Sequence, residues 1–74
     1  MYQEIRDRIY ELARQHDLRP DWTESTKNAR YLLLYDRQQV VVARATVPIR
    51  HPSGRVLAEL ERQLAPVFGK DWLK

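Results

Sequence analysis

Between residues 27 and 55 the chain carries Lys27, Arg30, Arg37, Arg44, Arg50 and Arg55 against a single acid, Asp36. The segment sums to +5 in a 74-residue chain whose total is +3, while residues 1–26 sum to −2 and residues 56–74 balance. The whole positive excess therefore sits on the middle of the chain. The chemistry such a run supports is phosphate recognition, because guanidinium groups pair in two-pronged fashion with phosphate oxygens. A local basic excess is also the electrostatic footprint of nucleic-acid binding. The competing role is structural, since arginine on exposed strand positions discourages edge-to-edge aggregation.

Other chemistry finds little support. His16 and His51 are the only histidines and cysteine is absent, so no metal-ligand spacing can be assembled. Ser25, Thr26 and Ser53 fall in turn or cap contexts, where hydroxyls satisfy nearby backbone groups. His51 with Ser53 is the one sequence-local pairing of base and hydroxyl, and a helix start accounts for it. The glycines, Gly54 and Gly69, make no phosphate-cradling loop. The expectation is a non-enzymatic protein without metal or small-molecule cofactor.

The elements that carry the basic run follow from periodicity. Tyr2, Ile5, Ile9, Leu12, Ala13 and His16 recur at helical spacing and predict a helix over about 2–17, ended by Pro20. Residues 18–27 hold Pro20, Asp21, Thr23, Ser25 and Thr26 and read as a turn-rich connector. Trp22 is expected to fold back from it and cap the core. Residues 29–35 and 40–47 are rich in β-branched and aromatic side chains and predict two strands. A second helix is expected over about 53–65, its apolar stripe Val56, Leu57, Leu60 and Leu64, with Phe68 a further candidate and Pro66 kinking or stopping it. Trp72 and Leu73 then form a short apolar tail.

The fold class expected is α+β, a helix–β-hairpin–helix (αββα) in one domain spanning residues 1–74. Its order is similar to that of double-stranded-RNA-binding domains and of the small toxins built on that plan. The likeness is topological: the sequence shows no third strand and lacks the glycine–serine–histidine segment of those toxins.

Side-chain parity decides what the hairpin displays. No Asn-Gly or Asp-Gly stands at the turn, which disfavours a two-residue loop and favours a longer loop or a bulge, and parity selects the odd-length loop. A three-residue loop places Ala29, Tyr31, Leu33 and Tyr35 with Val41, Ala43, Ala45 and Val47 on one apolar face, the expected core. The other face then holds Arg30, Arg44 and Thr46 near the base and Leu32, Leu34, Val40 and Val42 near the tip. Tyr31 and Tyr35 would be free to stack on bases only with the faces reversed.

Two functions follow. The first is a regulatory or accessory protein that binds DNA or RNA through Lys27, Arg30, Arg37, Arg44, Arg50 and Arg55, the hairpin entering a groove as a two-stranded ribbon. The second is a protein-interaction module docking another protein, or a second copy of itself, on Leu32, Leu34, Val40 and Val42. A dimer would complete a sheet that two strands leave marginal. No apolar run approaches the roughly 20 residues of a membrane span, and the N-terminus has no apolar leader. With no cysteine, the expected location is the cytoplasm.

Overall fold

The structure, a computed structural model, describes residues 2–50 and 52–73. His51, part of both the histidine pair and the base–hydroxyl pair above, lies outside the described residues. The elements run α1 (Tyr2–Gln15), β1 (Arg19–Ser25), β2 (Ala29–Tyr35), β3 (Val41–Pro48) and α2 (Gly54–Phe68). They form a small α+β domain of two layers, an antiparallel sheet of order β1-β2-β3 and two helices.

In α1 the expected stripe is the buried one: Ile5, Ile9, Leu12 and Ala13 face the core. The helix ends in a tight reversal at Asp17, which is left-handed (φ 56°). There the N–H of Leu18 donates to the Ala13 carbonyl at 2.8 Å and that of Asp17 to the Arg14 carbonyl at 3.3 Å. His16 is exposed, with its ring 5.9 Å from that of Phe68.

The segment read as a turn-rich connector is instead strand β1. Its polar residues concealed it, because an edge strand tolerates them on its open side. Pro20 is also compatible with an edge, where a missing N–H costs no ladder bond. Trp22 stands opposite Leu32 and packs against the core, as its cap role requires. Its indole N–H donates to the Tyr10 hydroxyl at 2.6 Å. The third strand completes an α-β-β-β-α order and gives the sheet enough width to pack under two helices without a second copy.

The β2–β3 hairpin has the expected three-residue loop. The Asp36 N–H donates to the Val40 carbonyl at 3.0 Å, and Gln39 takes the left-handed conformation (φ 65°). Asp36 Oδ1 accepts the N–H groups of Gln38 and Val40 at 2.8 and 3.0 Å and holds the loop closed. Below the tip the register shifts. Tyr35 faces Val41 but Leu34 faces Ala43, so Val42 is the extra residue of a β-bulge.

That extra residue reverses the alternation for the rest of the hairpin. Leu32 and Leu34 share their face with Ala45 and Val47, and all four are buried in one core with Ile5, Ile9, Leu60, Leu64 and Phe68. Leu32 is 1 % exposed and Leu34 0 %, so the expected docking surface on these two leucines is core. Both helices cover this one face. Small side chains at Ala43 and Ala45 allow α2 to lie close over β3.

Helix α2 starts on Ser53, whose Oγ accepts the Val56 N–H at 3.2 Å. It runs through Pro66 to Phe68, past the expected end, because Leu64 and Phe68 are both needed in the core. Gly69 (φ 95°) then turns the chain, a conformation side chains disfavour. The tail docks: Trp72 is buried, its indole donates to the Glu61 carbonyl at 2.8 Å, and its own carbonyl accepts from Arg8 Nε at 3.0 Å. Among the described residues no helix is long and apolar enough to cross a membrane.

Candidate nucleic-acid interface

Because both helices lie on one side, the other side of the sheet is bare. Its central row is Tyr31, Leu33 and Tyr35 on β2. On β1, Arg19 stands beside Tyr35 and Asp21 beside Leu33. On β3, Thr46 stands beside Tyr31 and Arg44 beside Leu33. Directly opposed residues of an antiparallel pair point the same way, so these side chains form one surface. Tyr31 is 39 % exposed, and Leu33 and Tyr35 are half-buried by their neighbours. The Arg19 guanidinium lies 4.6 Å from the Tyr35 ring centroid and donates to Gln39 Oε1 at 2.9 Å.

The six cations expected to act together separate into two groups. Arg30 does not neighbour Arg44 on one face; it is on the helix side, opposite Val47. Its guanidinium lies 4.9 Å from the Trp22 ring and donates to the Tyr2 hydroxyl at 2.8 Å, a part-buried structural contact. Arg37, at the hairpin tip, pairs with Asp17 at 2.9 Å and pins the tip to the α1–β1 turn. The side chains of Lys27, Arg44, Arg50 and Arg55 are exposed and make no hydrogen bond or ion pair among the described residues. Glu59, one turn along α2 from Arg55, pairs instead with Arg62.

Three of the four unengaged cations gather at one end of the sheet. Lys27 occupies the β1–β2 turn, where Thr26 Oγ1 accepts the N–H groups of Asn28 and Ala29 at 3.3 and 3.1 Å. The Ile49 N–H donates to the Asn28 carbonyl at 2.9 Å, which fastens this turn to the segment bearing Arg50. Arg55 follows on the first turn of α2. Arg44 is the fourth, on the open face itself.

The hairpin is not a free two-stranded ribbon, since β1 flanks β2 along its length. The expected entry of a lone ribbon into a duplex groove is therefore replaced by a three-stranded face. Of the expected docking residues, Val40 (55 %) and Val42 (39 %) are exposed, at the hairpin tip and the bulge. Sequence reasoning missed Arg19 as a partner of Tyr35 and placed Tyr31 and Tyr35 on the wrong side. The missing turn signal allowed for a bulge, but nothing in Val40-Val41-Val42 places it at Val42, where it reverses the faces. Among the described residues no group of acidic or histidine side chains is placed to hold a metal ion.

The fold and this surface define a two-layer α+β domain with a bare tyrosine–arginine sheet face. No protein-family model, no curated protein and no solved structure matches the chain.

Proposed function

We propose that this protein acts by binding, without catalysis, and that its ligand is single-stranded nucleic acid laid across the outer face of the sheet. The observation that carries this reading is the row Tyr31–Leu33–Tyr35 on a helix-free face, with the unengaged Arg44 beside it. Successive bases stack on aromatic side chains because every base has a π-face, and arginine adds cation–π and phosphate contacts. Lys27, Arg50 and Arg55 extend the positive potential beyond the end of the sheet. A regulatory or accessory role on RNA or DNA follows from such binding.

The topological likeness to duplex-RNA-binding domains is no warrant for a duplex ligand, because fold alone does not specify function. The test is titration of fluorescent single-stranded and double-stranded oligonucleotides at several salt concentrations. Single strands should bind better than duplexes. With four phosphates neutralised, log K should fall with log salt at a slope of roughly −3, from about −0.7 per contact. Absence of binding at low salt, or tighter binding of duplex, would remove this reading.

One observation favours a second reading. Val40 at the hairpin tip and Val42 at the bulge below it each expose apolar surface, the chemistry of a small protein contact. Val42→Asp would then abolish capture of a partner while leaving nucleic-acid binding intact.

A further inference from the structure

An open cleft of about 360 Å³ lies between β3 and the start of α2. Ala29, Pro48, Pro52 and Val56 line it with apolar surface, and Asn28 and Arg50 line it too. Thr46 belongs both to this cleft and to the shallower depression that holds Tyr31, Leu33 and Arg44. Ala29 pairs with Pro48 and Tyr31 with Thr46, so the strand residues of the cleft stand on the face that carries Tyr31, and Thr46 borders both.

We infer that this cleft receives one unstacked base of the bound strand, and that Asn28 reads that base as adenine. The inference rests on the single-strand reading above. The size is at the low end of the roughly 300–1,000 Å³ of small-molecule sites, which suits one nucleoside. An apolar floor accepts the face of a base, while the edge needs hydrogen-bonding partners. Asn28 can supply them. Its backbone is fastened on both sides, by the Thr26 hydroxyl and the Ile49 N–H, yet its side-chain amide makes no hydrogen bond among the described residues. An asparagine amide matches the N7 acceptor and N6 donor of adenine together. Arg50, also unengaged, lines the same cleft and can take the adjoining phosphate. The charge and the placement on the face of Tyr31 thus both favour a nucleotide over an apolar peptide as the occupant.

The experiment uses the full chain and a labelled oligothymidylate into which one adenine is introduced at each position in turn. One position should tighten binding by about 5-fold or more, the low end of the discrimination a bidentate base contact provides. Asn28→Ala and, separately, Val56→Trp, which fills the cleft from an exposed position, should each erase that preference, so that the adenine-bearing and all-thymine strands bind the variant equally. The inference is overturned if no position prefers adenine, or if the preference survives both substitutions. Failure of oligothymidylate itself to bind would instead sink the sheet-face reading, and the cleft with it.

Discussion

Tyr31→Ala is expected to weaken binding of single-stranded nucleic acid while leaving the fold in place. Tyr31 lies on the outer face opposite Thr46, is 39 % exposed, and its hydroxyl makes no hydrogen bond among the described residues. Truncation therefore removes cross-strand contacts and strand preference, a cost of about 1 kcal/mol or less. On the binding side, one lost base–aromatic stack is worth about 1–3 kcal/mol. At about 1.4 kcal/mol per tenfold, that is a loss of roughly 5- to 150-fold in affinity. Tyr31→Phe keeps the ring and should bind as wild type. Fluorescence anisotropy with a short labelled oligonucleotide reads the affinity, and thermal unfolding followed by circular dichroism reads the fold. If Tyr31→Ala stays folded and binds as tightly as Tyr31→Phe, bases do not stack on this face and the reasoning fails.

Arg44 and Arg30 should part company in the same assay. Arg44→Ala should flatten the salt dependence by about 0.7 in slope without changing stability. Arg30→Ala should leave the slope alone and cost about 1–2 kcal/mol of stability through the lost Trp22 and Tyr2 contacts; equal effects on binding would contradict their opposite placement. Leu34→Ala should destabilise by about 2–5 kcal/mol in chemical denaturation, as for a fully buried leucine, whereas a surface leucine would cost far less. Asp36→Ala deprives the loop N–H groups of Gln38 and Val40 of their acceptor and should cost about 1 kcal/mol; an unchanged melting temperature would show that the loop closes without it.

Much of the architecture was legible because it is written in local periodicity. Ile5, Ile9 and Leu12 recur at helical spacing and are buried together; β2 begins and ends where its leucine and tyrosine run does; Ser53 caps α2 as a serine before an apolar stripe should. What was hidden depends on distant partners. Strand β1 forms because Leu32 offers Trp22 a place, so its own polar residues point elsewhere. The hairpin loop was foreseen, yet the bulge at Val42 reversed its faces, and no residue type at that point requires a bulge. Arg30 reads as one more cation until Tyr2 and Trp22 are seen to hold it. The cleft could not be anticipated at all, since its walls come from the β1–β2 turn, β3 and the α2 start.

Both tryptophans lie away from the open face: Trp22 between the rings of Tyr2 and Tyr10, and Trp72 against Phe68. The molecule therefore carries two separable optical reporters. Indole emission follows docking of the tail and the helices, and hence unfolding. The tyrosines of the sheet, above all Tyr31, are the chromophores that a stacked base would quench. In a single cuvette, loss of fold and gain of ligand can be followed as different signals.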